Sequence, residues 1–290
     1  MRILTPFRKF TAAVVFLTAA TLTAAAQDAL LIVAHGARQP EWNERVIRLA
    51  EKVDWPGPVG VAFLMNAAPE HRLDRVAARL DATGAERIIV LPLLVSSFSG
   101  HYEEIRYYVG ERSEAPHHAH YQPLRTRAQL VLAPAMDDHE VITRILADQV
   151  RAISVNPAEE SLVLVAHGPN EDSDNRLWLE RLGHHAERLQ KQFGFRHIET
   201  ITLRDDAPKL VRDAATEHLR AVVSRFGQDS RVLVLPVLIS VGQIQKQIHE
   251  RLAGLNYTMS EAGLAEHPLA AEWVRQQAAS LASRTAASAH

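Results

Sequence analysis

The chain has 290 residues, room for two domains of ordinary size, and 47% of them are hydrophobic, enough to build real cores. Its 32 basic and 34 acidic residues are interspersed and leave a formal net charge of -2, so there is no basic stripe of the kind nucleic acid requires, and no nucleic-acid partner is expected. With no cysteine in the chain, disulfides, iron–sulfur clusters, thiol catalysis and lipid attachment through cysteine are excluded.

The N-terminus reads as an export signal. Arg2, Arg8 and Lys9 form a basic start, Thr11 to Ala26 is apolar and alanine-rich, and Ala24-Ala25-Ala26 before Gln27 matches a small-residue cleavage site. Residues 1–26 are therefore expected to be a signal peptide, which would put the protein outside the cytoplasm, in the periplasm, with no stable membrane insertion after cleavage. The apolar run is short for a span of about 20 residues, and no other segment is long and apolar enough to cross a bilayer.

Ala29 to Val33 reads as a short buried strand. Glu41 to Val53 carries a helical stripe in Trp42, Val46, Ile47, Leu49 and Ala50. Val59 to Leu64 is a second strand, and Pro69 is expected to open a helix through Leu73, Val76, Ala77 and Leu80. Arg87 to Val95 is apolar on both faces, as a central parallel strand should be. A helix from about Tyr102 to Val109, a strand from Leu130 to Ala133 and a helix from Glu140 to Val150 complete a unit. Between them, Glu111 to Arg127 carries His117, His118 and His120 in a polar stretch expected to be a surface loop. These three histidines could gather metal ions, but plain surface histidines are the simpler expectation.

The pattern then repeats. Val33-Ala34-His35-Gly36 returns as Val165-Ala166-His167-Gly168, each at the end of an apolar run. Strands are expected at Leu162 to Val165, Ile198 to Leu203 and Arg231 to Ile239. Helices are expected at Asn175 to Phe193, Ala207 to Phe226 and Ile244 to Leu252. Alternating strands and helices argue a parallel α/β sheet with right-handed crossovers. The expected fold is thus two similar lobes from an internal duplication, each a parallel sheet flanked by helices, with a ligand cleft between them. The lobes are assigned to residues 27–153 and 161–290, joined by a linker from Ser154 to Glu160 with Asn156-Pro157 in it.

The halves differ after the third strand. Half one continues Leu91-Pro92-Leu93-Leu94-Val95-Ser96 into Gly100-His101-Tyr102-Glu103-Glu104. Half two continues Leu235-Pro236-Val237-Leu238-Ile239-Ser240 into glutamines and a lysine. Ligands of open α/β sheets bind outside the carboxyl ends of strands, so His35 and His101 can converge there. Two imidazoles and a carboxylate suit a divalent transition metal and leave coordination positions open. His167, lacking a counterpart of His101, reads as a remnant of the duplication. Arg38, in the loop after His35, can pair with a ligand carboxylate.

The strand ending in His-Gly, the Leu-Pro-Leu-Leu-Val-Ser strand and the Gly-His-x-x-Glu after it resemble the class II tetrapyrrole chelatases, most of all the CbiX-type sirohydrochlorin cobaltochelatases. The segments Pro134 to His139 and Gly263 to Pro268 resemble the stretch before that family's closing helix. The resemblance implies a lyase that inserts a divalent metal into a cyclic tetrapyrrole. It implies a metal site at His35 and His101, with the family's glutamate at Glu104 (Glu103 being the alternative), and the same three residues as the catalytic group. Co2+ is the implied metal substrate, with Ni2+ or Fe2+ as alternatives, and there is no organic cofactor. Where the family commonly has a serine after His-Gly, this chain has Ala37. Two other functions compete. One is a non-catalytic periplasmic carrier of metal or tetrapyrrole. The other is a phosphohistidine enzyme, which would need an arginine where Ala34 precedes His35.

Overall fold

The computed structural model describes residues 27–287. The signal-peptide reading of residues 1–26 lies outside them. Among the described residues, no helix is long and apolar enough to cross a membrane.

In the first half, β1 (Ala29–Ala34) leads to α1 (Pro40–Glu51), whose first position is taken by proline, a residue with no N–H to leave unpaired there. β2 (Val59–Phe63) follows, then α2 (Leu73–Asp81), β3 (Arg87–Leu93), α3 (Gly100–Tyr108), β4 (Gln129–Leu132) and α4 (Glu140–Ile153). The second half runs β5 (Glu160–Ala166), α5 (Asp172–Phe193), β6 (His197–Thr202), α6 (Lys209–Phe226), β7 (Arg231–Val237), α7 (Gln243–Arg251), β8 (Thr258–Met259) and α8 (Leu269–Ala287).

The single helix expected from Pro69 is two elements. Pro69–His71 form a 3-10 turn, after which Arg72 is extended and bridges Phe63 at the end of β2. That pairing, with His71 Nδ1 3.0 Å from the Val61 carbonyl, holds the chain out of helical conformation until Leu73. The segment from Glu111 to Arg127 contains no helix or strand, and His117, His118 and His120 are exposed. It is docked rather than loose. The His120 N–H donates to the Tyr108 hydroxyl at 2.8 Å, and Tyr121 is buried edge-on against Tyr108.

Each half is a four-stranded parallel sheet, with orders β2-β1-β3-β4 and β6-β5-β7-β8. Alternate residues of the central strands face opposite sides. Leu31 and Val33 pack outward with α2 and α3, and Val163 and Val165 pack outward with α6 and α7. Leu30, Ile32 and Ala34 face inward, as do Leu162, Leu164 and Ala166. They share one core with side chains of α1, α4, α5 and α8. These four helices lie between the two sheets. The closing helices are exchanged across this core, since α8 packs on β3 of the first sheet and α4 on β7 of the second.

Matching arginines tie the halves together. Arg45 of α1 donates to the Val241 carbonyl at 3.0 Å and pairs with Glu266, while Arg181 of α5 pairs with Asp138 and lies over the Phe98 ring. The chain between α4 and β5 ends in a buried anchor. Glu160 accepts from the Ser154 hydroxyl and the Val155 N–H and pairs with Arg231, and these partners hold its carboxyl below the usual range against the opposing effect of burial.

Candidate functional site

In each sheet the chain leaves β1 (or β5) to one side and later returns on the other, which opens a crevice at the carboxyl ends of β1 and β3. His35 is the first residue after β1. Backbone pairing continues past it, because the Met65 N–H donates to the His35 carbonyl at 2.9 Å. Gly36 must then turn sharply. Its φ is +83°, and a Cβ there would sit 2.1 Å from the Met65 carbonyl oxygen, so only glycine fits. Asn43 of α1 brackets the loop by accepting from the Ala37 N–H and donating to the Ala37 carbonyl.

His35 Nδ1 lies 2.7 Å from the Gly36 carbonyl. A carbonyl only accepts, so Nδ1 carries the proton and Nε2 keeps its lone pair. Burial, reinforced by nearby His101, pushes the imidazole down to about 4, so it is neutral and free to bind a cation at neutral pH.

His101 comes from the other side of the crevice. It sits in the first turn of α3, whose N-cap is Ser99, its side chain accepting from the Tyr102 N–H. The loop before it is held by Asp137, a left-handed residue that accepts from both the N–H and the hydroxyl of Ser97. The His35 and His101 rings meet edge to face with centroids 4.5 Å apart. One turn along the same helix face, Glu104 brings Oε1 to 3.5 Å from His101 Nδ1. Glu104 is 1% exposed, and its Oε2 makes no hydrogen bond. His101 Nδ1 is itself buried, so Nε2 is the nitrogen that faces the crevice.

The sequence-expected residues thus separate by role. His35 and His101 converge as a two-nitrogen site, and Glu104 stands behind His101. Glu103 points elsewhere, into a surface network with Arg106 and Arg112. Arg38 is exposed in the loop beyond Ala37. Among the described residues, no three His, Cys, Asp or Glu side chains are grouped to chelate one ion, and the loop histidines are no exception.

Two residues that the sequence reading passed over or set aside also belong here. His167 ends β5 as His35 ends β1, with Nδ1 2.9 Å from the Gly168 carbonyl and Gly168 at φ +77° against Thr202. It lies near enough to His35 and His101 for their charges to interact, and burial pushes its own titration down. Asp206 Oδ2 is 3.4 Å from its Nε2. No local signal marks Asp206, which reaches His167 only through the fold.

Residues 29–153 match the model of the CbiX family. A sirohydrochlorin cobaltochelatase of Priestia megaterium is 24% identical over 225 residues, which are 76% of this chain and 67% of that one. A sirohydrochlorin cobaltochelatase of Sulfolobus acidocaldarius is 37% identical over 68 residues, 23% of this chain and 54% of its own length. Among solved structures, the sirohydrochlorin chelatase SirB of Bacillus subtilis subspecies spizizenii, in complex with cobalt, superposes with a TM-score of 0.61. The two are 17% identical, and the match covers 87% of this chain and 93% of that one. SirB from Bacillus subtilis with Fe3+ gives a TM-score of 0.62 at 18% identity, covering 87% and 94%. At these identities the structures establish a shared two-lobed chelatase-like fold.

Proposed function

We infer that this chain, whose residues 29–153 match the CbiX family model, is a metal chelatase that inserts a divalent metal into a sirohydrochlorin-like tetrapyrrole. The observation that carries this reading is the pair of imidazoles at the carboxyl edge of the first sheet, His35 after β1 and His101 in the first turn of α3, with ring centroids 4.5 Å apart. Both Nδ1 atoms are turned into the protein, and both Nε2 atoms are left for a ligand.

Metal insertion exchanges M2+ for two pyrrole protons. His35 and His101 hold the incoming ion by Nε2 and keep positions open for the macrocycle nitrogens. Glu104 acts on the ion through His101. Its carboxylate stands 3.5 Å behind the far nitrogen, where a second partner of a metal-binding histidine is usually found. Arg38, exposed in the loop beyond Ala37, would pair with a peripheral carboxylate of the macrocycle. The macrocycle supplies the coordinating nitrogens, so no organic cofactor is needed. Co2+ is the metal we favour, with Ni2+ and Fe2+ compatible with the same donor set.

The test is a chelation assay on the full chain. Sirohydrochlorin is mixed with Co2+, Ni2+ or Fe2+, its absorbance is followed against the rate without protein, and His101→Ala is run alongside. Acceleration by the wild type that disappears in the variant is the expected result. A rate equal to the blank, with metal or tetrapyrrole still bound, would replace the enzyme with a carrier. Export through residues 1–26 is a separate proposal, checked by N-terminal sequencing of the protein from periplasmic and cytoplasmic fractions.

A further inference from the structure

The second half keeps one imbalance that a remnant does not explain. His167 Nδ1 faces a carbonyl, so its proton is fixed there and Nε2 carries a lone pair. Beside that lone pair, at 3.4 Å, stands a carboxylate oxygen of Asp206. The two make no aligned hydrogen bond, so Asp206 flanks the lone pair without capping it. Two acceptors at this distance are completed by one positive charge.

The loop that carries Asp206 is built to stay where it is. Arg204, 7% exposed and left-handed at φ +56°, donates to the carbonyls of Pro169 and Asn170 and pairs with Asp172. Asp205 pairs with Arg251, which also donates to the Leu203 carbonyl, and both members of that pair are nearly buried. Asp206 itself is 70% exposed, so a proton that reaches it can leave to water. His167 interacts electrostatically with both His35 and His101 yet makes no ring contact with either. The three imidazoles therefore lie within electrostatic reach of one another without stacking.

We propose that His167, flanked by Asp206, is the catalytic base that takes the pyrrole protons on the wall opposite the metal-holding pair His35 and His101. This rests on the chelatase reading above and assigns a role in it to the second half. In each of two passes a pyrrole N–H bond breaks and its electron pair stays on the ring nitrogen, which then binds the metal. The proton goes to His167 Nε2. Asp206 stabilises the imidazolium and passes the proton to water. M2+ enters, two protons leave, and nothing is oxidised or reduced. Burial keeps His167 neutral, and so able to accept, at neutral pH. The charged or titratable groups that act on it are Asp206, His35, His101 and Arg251.

The experiment uses the full chain, sirohydrochlorin and Co2+, with Co2+ binding alone measured by calorimetry. His167→Ala should lower the chelation rate by roughly 100-fold, in the range of a lost general base, while its Co2+ affinity stays within about twofold of wild type. Added imidazole should restore part of the rate, which a merely structural histidine would not allow. Asp206→Asn should cost less, about tenfold, and move the acid limb of the pH–rate profile to lower pH, since the imidazolium loses its carboxylate. Wild-type rate in His167→Ala overturns the proposal, as does loss of rate without imidazole rescue. A loss of Co2+ affinity equal to that of His101→Ala overturns it too, and makes His167 a metal ligand. If the wild type fails to beat the blank, the chelatase reading itself falls, and this inference with it. If His101→Ala abolishes the rate and His167→Ala does not, only this inference falls.

Discussion

His185 offers a quantitative test of how the halves are held together near the site. It lies on α5 with 1% exposure. Its Nε2–H donates to the Asp137 carbonyl at 2.8 Å, and its Nδ1 lies 2.7 Å from the Thr143 hydroxyl. Asp137 in turn holds the Ser97 loop that leads to His101. Burial pushes the His185 imidazole from 6.5 down to about 4. Between those values the unfolded chain binds a proton that the folded chain refuses. This contribution to stability is complete above about pH 6.5 and is lost as pH falls toward about 4, by about 1.4 kcal/mol per unit and roughly 3 kcal/mol in all. His185→Gln removes the titration. At neutral pH it should cost about 1–3 kcal/mol, because one of the two partners is left unpaired in the interior. The gap between wild type and variant should then close as the pH falls. Urea unfolding followed by tryptophan fluorescence, at several pH values from about 7 to about 4.5, measures both curves. Parallel curves, with the gap unchanged at low pH, would refute a buried neutral histidine at this seam.

Gly36→Ala should destabilise the protein by well over 2 kcal/mol and abolish Co2+ binding, since left-handed φ and a clash with the Met65 backbone combine. Gly84→Ala, also left-handed but with open space around its Cβ, should cost only about 1 kcal/mol in the same denaturation series. Glu104→Gln should weaken Co2+ binding by about 10- to 100-fold in calorimetry while leaving the melting cooperative, as expected for a group that orients a ligand without being one. Trp273→Ala, at a fully buried position in the core shared by both sheets, should cost about 3–5 kcal/mol and lower the stability of both halves in one transition by hydrogen exchange.

Much of this was written locally in the chain. The central strands are apolar on both faces because both faces are covered, so continuous runs such as Arg87 to Leu93 announce themselves. The repeated Val-Ala-His-Gly marks two strand ends with one geometry, and it holds because each glycine must be left-handed. Other features were not local. The choice between Glu103 and Glu104 depends on helix phase, which is fixed only once α3 is seen to start at Gly100. β8 is two residues long, too short to leave a pattern. The extended break at Arg72 comes from a bridge to Phe63, a tertiary event that overrides helix propensity. Asn43, Asp137 and Asp206 act through partners that sequence spacing does not reveal. Nor does any motif announce that α4 and α8 cover each other's sheets. Residues 154–159 join α4 to β5, and the packing runs across them.

That exchange bears on why the two halves diverged. Helices α3 and α7 are each nine residues long, and set start to start they align Ile105 with Ile248, both buried. In the same register His101 faces Ile244 and Glu104 faces Gln247. The second half thus lacks both the imidazole and the carboxylate behind it, while it has His167 at its strand end. With a common core fixing the two strand ends against each other, a second complete metal pair would face the first across a narrow gap. Two dications held on facing walls repel each other, and more strongly in a protein interior than in water. The proposed arrangement, one metal-holding wall opposite a neutral base, would avoid that repulsion and give the displaced protons a route that does not pass the incoming ion. If His167 is the base, the second half is specialised: the groups it lacks would compete with the first half, and the histidine it has would complete the reaction.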